Sequence, residues 1–140
     1  FSRMLLARIQ KPLDQAQSAD QIGFRSGRCI EDAFAILEGL LGKCIEYNME
    51  LWIASLDMTK AFDRIEVDPL MQALREQGLD REYVHLLICL YSNQSDRVHG
   101  SRHFAIQRGV KQGDIISPVL FNAGLDLAFV RWKRRLSSEG

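Results

Sequence analysis

Apolar positions recur at three- and four-residue steps over most of this chain, the period of a helix that buries one face. Residues 2 to 11 read in this way as the tail of an amphipathic helix, and the Pro, Asp, Ser and Gly of "KPLDQAQSADQIGFRSGR" then predict a loop. Ile30, Ala33, Phe34, Leu37, Leu40, Leu41 and Cys44 lay a wide apolar stripe on a helix of about 15 residues, whose acidic start, Glu31 and Asp32, suits the positive end of its dipole. The period then changes. In "LWIASLDMTKAFDRIE", residues 51 to 66, apolar residues run almost unbroken up to Asp57, which predicts a buried strand that ends on a charge and passes into an amphipathic helix.

Asp68-Pro69 predicts a capped helix that Gly78 closes, and Asp80 starts another, with Tyr83, Leu86, Leu87, Leu90 and Tyr91 as its stripe. Gly100-Ser101 between two short alternating runs in "SDRVHGSRHFAIQRG" predicts a β-hairpin. Ser117-Pro118 then opens a last helix through "VLFNAGLDLAFVRWKRRL". Helices and strands do not alternate regularly and no segment repeats, so the pattern predicts an α+β fold.

The length, 140 residues, suits one domain, and nearly half the residues are apolar, enough for a core. Lys plus Arg equals Asp plus Glu at 18 each, so a nucleic-acid role has to rest on local clusters rather than on a global basic excess. Cys29, Cys44 and Cys89 form no CxxC pair, which points away from a zinc site or disulfide framework and toward small hydrophobes in a reducing compartment. No apolar run approaches the roughly 18 residues of a membrane span. The start "FSRMLLARIQ" has neither an initiating Met nor a signal-peptide pattern, so the chain reads as a piece of something longer.

Three stretches could carry chemistry. A carboxylate ending an apolar strand is costly to bury alone, so Asp57 either meets a divalent cation at the sheet's rim or caps the turn that follows. Phe62, five residues on, either shares that site or fills the core. In "QRGVKQGDIISP", residues 107 to 118, two glycines four apart flank Lys111 and Gln112, as in a loop that admits a ligand or merely links strand to helix. In "QIGFRSGR", residues 21 to 28, Arg25 and Arg28 suit phosphate and Phe24 could stack on a base or sugar, or the segment is a solvated loop. The basic run "RWKRR" is read as cations serving a helix C-terminus, His99 and His103 as polar hairpin residues, and His85 as a helical residue without a partner.

In this order, "QIGFRSGR…EDAF", "ASLDMTKAFDRI" and "QRGVKQGDIISPVLFN" resemble the reverse transcriptases of non-long-terminal-repeat (LINE-type) retrotransposons, over nearly the whole chain. The resemblance implies part of a right-hand polymerase with a small antiparallel sheet and packed helices, about residues 1–50 on the fingers side and 51–140 in the palm. It implies an RNA-directed DNA polymerase that extends a DNA primer on an RNA template from deoxynucleoside triphosphates, with two Mg²⁺ ions and a nuclear location. On the matching positions, Asp57 and the Met58 backbone carbonyl become metal ligands, Phe62 the ring that excludes a 2′-hydroxyl, Gln112 and Gly113 nucleotide contacts, and Arg25 and Arg28 template or phosphate contacts. Asp63 is expected to tie down its turn and Asp114 to cap the next helix.

The sequence departs from the family pattern in having no Asp-Asp, and so lacks the second carboxylate source of the family's aromatic-Ala-Asp-Asp hairpin. The expectation is therefore a segment inactive by itself, with a noncatalytic nucleic-acid-binding remnant as the alternative. Cys29-Ile30, Ser26 and Ile115 also replace residues usual in the family.

Overall fold

A computed structural model describes residues 1–92, 94–96, 104–105 and 108–139. Helix α1 spans Ser2–Ala16 and buries Leu5, Ile9 and Leu13, a four-residue repeat on one face. It runs past Pro12, where the sequence pattern predicted its end. Proline removes one helical donor, but Leu13 is fully buried on the established stripe, and that packing carries the helix another turn.

Helix α2, Ile30–Glu46, forms as its periodicity predicts, and the Asp32 carboxylate accepts the Cys29 N–H at 2.9 Å across its first turn. Its stripe, however, lies open: Phe34, Leu40 and Leu41 are exposed, and Cys44 alone in the helix is buried. Cys29 and Cys89 are exposed as well, so only Cys44 acts as the small hydrophobe expected of all three.

Helix α3, Val67–Glu76, buries Leu70, Met71, Ala73 and Leu74. Gly78 ends it in the left-handed region, with its own N–H on the Arg75 carbonyl and that of Leu79 on the Leu74 carbonyl, a Schellman closure. Helix α4, Arg81–Tyr91, adds Val84, Leu87 and Tyr91. Helix α5, Ser117–Glu139, crosses α3 and also meets α1, and Val119, Leu120 and Ala123 complete a single core with Val110 and Ile116. Because α5 continues to Glu139, the basic run lies inside the helix rather than at its end. There Arg131 pairs with Glu76 at 3.1 Å and Lys133 with Asp20.

The α+β expectation with a small antiparallel sheet is overturned: the regular structure of the described residues is overwhelmingly helical. Extended pairing among them is limited to a two-residue antiparallel pair, Ser95–Asp96 (β1) with Phe104–Ala105 (β2), and one bridge, Glu66 with Arg108. The expected buried strand before Asp57 has no ladder, and Trp52 and Leu56 are 90% and 80% exposed. A strand's backbone needs a neighbouring edge, and no described segment offers residues 51–57 one, so the apolar run stays on the surface. The expected helix after it shrinks to a single 3₁₀ turn, Phe62–Arg64. The Gly100-Ser101 turn of the predicted hairpin, with His99 and His103, lies outside the described residues.

Candidate nucleotide site

The segment after Asp57 turns at Lys60, in the left-handed region, and winds once through Phe62–Arg64, with the N–H groups of Asp63 and Arg64 on the Lys60 carbonyl. The glycine loop is tied to that turn by backbone bonds: Gly109 N–H to Ile65 O at 2.7 Å and Val110 N–H to Phe62 O at 3.0 Å. Gly109 has φ +95°, and a Cβ there would lie 3.1 Å from the Asp63 Cα and 3.2 Å from its carbonyl oxygen. Only glycine fits so close to another backbone. Gly113 is also left-handed, at φ +86°, but faces open space.

Side chains close the same junction. The Gln112 amide donates to Asp63 Oδ1 at 2.9 Å, so Asp63, expected to tie its own turn, instead fastens the loop. Ser117, fully buried, donates to the Lys111 carbonyl at 2.6 Å and fixes the loop's exit into α5. Asp114, expected as a helix cap, accepts from Ser2 of α1 at 3.1 Å and from the Ile116 N–H at a long 3.4 Å. Beneath the loop's end, burial raises the Tyr91 phenol above its ordinary pKa, the Asp114 charge adds to the rise, and Ser117 opposes it.

Phe62 is half-buried at the centre of this junction. Its ring stacks on Phe121 of α5, centroids 4.7 Å apart and planes 24° apart, and meets Phe24 edge-on at 6.0 Å and 81°. Three distant stretches of sequence thus meet at one aromatic cluster. Phe62, Gln112, Gly113, Asp114 and Ile115 line a recess of about 570 Å³ with Ser117 and Pro118. A second recess of about 490 Å³ is lined by Asp57 and Met58 together with Phe121, Gly124 and Leu125. Phe62 lines the first recess, and Phe121, stacked on it, lines the second.

Phe62, Gln112 and Gly113 therefore come together, and Asp57 and Met58 lie in the recess lined by Phe121. The Asp57 carboxylate is exposed. Arg25 turns away from both recesses: its guanidinium donates to the carbonyls of Ser18 (2.8 Å), Gln21 (3.2 Å) and Asp14 (2.8 Å), and so binds its own loop to the end of α1. Arg28 is exposed, with no side-chain partner among the described residues. Phe24 meets Phe62 edge-on while its ring stays largely exposed. Phe121 escaped the sequence reading, although its place one turn into α5 beside buried Leu120 marks an inward-facing ring. His85 has Cys89 one turn on, Nδ1 to Sγ 3.9 Å, and no group of three or more His, Cys, Asp or Glu converges among the described residues.

The family model described as reverse transcriptase (RNA-dependent DNA polymerase) matches residues 1–138. The chain belongs to the reverse transcriptase family. Within that family it is similar to polyproteins of non-long-terminal-repeat retrotransposons. It is 38% identical over 137 residues to a Pol polyprotein of element R2 from Nasonia vitripennis, covering 94% of this chain and 13% of that protein. With the R2DM polyprotein of Drosophila melanogaster it shares 32% over 123 residues, 85% of this chain and 11% of that protein. With a 149 kDa protein of transposon TX1 from Xenopus laevis it shares 25% over 140 residues, 97% of this chain and 11% of that protein. The chain thus spans only about an eighth of the length of these relatives.

Proposed function

We propose that this chain supplies the nucleotide-facing part of an RNA-directed DNA polymerase that extends a DNA primer on an RNA template. One observation carries the reading: Phe62, Gln112 and Gly113, from two stretches about fifty residues apart, line one recess, and Phe121, which stacks on Phe62, lines the recess of Asp57. In this reading the rigid stack presents the Phe62 ring beneath the incoming sugar, where it leaves no room for a 2′-hydroxyl. Gln112, anchored through Asp63, borders the nucleotide, and Gly113 lets it approach the backbone.

The donors present fit part of a divalent ion's shell, since hard cations take oxygen and Asp57 offers an exposed carboxylate beside the Met58 carbonyl. Bound there, Mg²⁺ would activate the primer 3′-hydroxyl and neutralise the triphosphate, in the manner of two-metal transfer. With one carboxylate in the Asp57 recess among the described residues, the 140-residue chain by itself extends no primer. Arg28, exposed and unpaired among the described residues, suits template or phosphate, while Arg25 is committed to its loop. A nuclear location follows from a DNA-copying role in an element of this kind.

The test is a chimera: the Nasonia vitripennis R2 polyprotein with its matching segment replaced by this chain. Phe62→Val in the chimera should admit ribonucleotides during primer extension. An unchanged sugar preference would reject the assignment of the ring.

A further inference from the structure

The aromatic cluster is held from behind by a polar clamp. Asn122, one residue after Phe121, is 1% exposed and uses both ends of its carboxamide. Nδ2 donates to the Gly23 carbonyl at 2.7 Å, and Oδ1 accepts from Gln21 Nε2 at 3.1 Å. Gln21 Nε2 also lies 3.1 Å from the Gly23 oxygen, which closes a triangle of three bonds. The next residue is Phe24, whose φ of +55° puts a bulky side chain in the left-handed region, a conformation that persists only where the surroundings impose it. One turn along α5, buried Asp126 accepts from the Ser18 N–H at 3.0 Å and from the Ser18 hydroxyl, and Arg25 ties the same loop to α1. Among these fastenings, Asn122 and Gln21 both grip the peptide leading into Phe24, and Asn122 is the one that anchors it to α5.

We propose that Asn122 is a positioning residue for sugar selection: it holds Gly23 so that the exposed Phe24 ring braces Phe62 edge-on, while Phe121 supports Phe62 face-on. The inference rests on the reading of Phe62 as the sugar-facing ring. Its physical content is that a lone aromatic on a one-turn 3₁₀ segment would rock, and that two rings at 24° and 81° fix its plane. Losing the clamp leaves Phe62 in place but lets its plane move, so discrimination falls before folding does. A buried carboxamide that served stability alone would change unfolding without changing the choice of sugar.

Two readouts on the 140-residue chain test this. The first is the ring-to-ring nuclear Overhauser effect between Phe24 and Phe62; the second is the ratio of dATP to ATP affinity in the presence of Mg²⁺. For Asn122→Ala, the Overhauser effect should vanish and the preference for dATP should fall several-fold, toward unity. Phe24→Leu removes an exposed ring without touching the core; it should lower the preference in the same direction at unchanged helix content, and it decides the matter if Asn122→Ala fails to fold. A retained Phe24–Phe62 contact in Asn122→Ala, or an unchanged preference in Phe24→Leu, overturns the proposal. A wild-type chain that does not distinguish dATP from ATP instead overturns the sugar-ring reading of Phe62, and the Overhauser effect then still decides whether Asn122 positions Phe24.

Discussion

The Gln112 amide donates to the Asp63 carboxylate at 2.9 Å, joining two residues 49 apart in sequence at the mouth of the Phe62 recess. Together with the Gly109–Ile65 and Val110–Phe62 backbone bonds, it makes the turn and the glycine loop one mechanical unit. Both side chains are exposed, so the bond orients Gln112 more than it stabilises the fold. A double-mutant cycle with Asp63→Ala and Gln112→Ala should give a coupling of about 0.5–1 kcal/mol in urea unfolding. A coupling indistinguishable from zero would mean that the carboxamide is not held.

The two left-handed glycines should differ. Gly113→Ala meets only the backbone penalty, about 1–2 kcal/mol, because nothing lies near its Cβ. Gly109→Ala adds a collision with the Asp63 and Phe62 backbone and should cost about 2–4 kcal/mol and loosen the loop from the turn. Urea unfolding of both variants checks the order, and equal costs would refute the close approach.

Helix α2 should be energetically separate from the core. Leu120→Ala, at a fully buried site between α5 and its neighbours, should cost about 2–5 kcal/mol, whereas Leu40→Ala, 45% exposed, should cost under about 1 kcal/mol. Comparable losses at the two sites would show that the α2 stripe is covered in solution.

Tyr91 gives an alkaline signature. Burial, first, and the Asp114 charge hold its folded pKa above the ordinary value of about 10. Above that pH the unfolded chain releases a proton that the folded chain keeps. The phenol's contribution is thus fully present below pH about 10 and is lost as pH rises through the folded value. Stability of the wild-type chain should fall more steeply than that of Tyr91→Phe between pH 9 and 11 in urea titrations; parallel curves would contradict the burial argument.

The helices were legible where sequence and burial agree. Ile9, Leu70, Leu87 and Leu120 keep their period and sit fully buried, and Gly78 ends α3 where a glycine after a periodic run predicts. The strand before Asp57 was not, because an apolar run states a wish for burial and only a neighbouring edge makes a sheet. The same limit explains α2, whose amphipathic pattern fixed the helix but not a partner for it. At the site, the glycines and Gln112 stood out by residue type. Arg25 looked like a phosphate contact because a guanidinium's attraction to carbonyls of its own loop leaves no mark in sequence. Phe121 and Asn122 were hidden because their roles arise from contacts between stretches far apart in sequence, and nothing local to Phe24 shows that its ring meets Phe62.

Asp57 stands exposed in the recess lined by Phe121, the ring that stacks on Phe62. In the Nasonia vitripennis R2 chimera, Mg²⁺-dependent primer extension on an RNA template should fall by about 100-fold or more on Asp57→Asn, the scale of losing one oriented electrostatic contact at a reacting centre, with the fold unchanged. Extension at the unsubstituted rate would contradict the placing of this carboxylate at the reaction's metal.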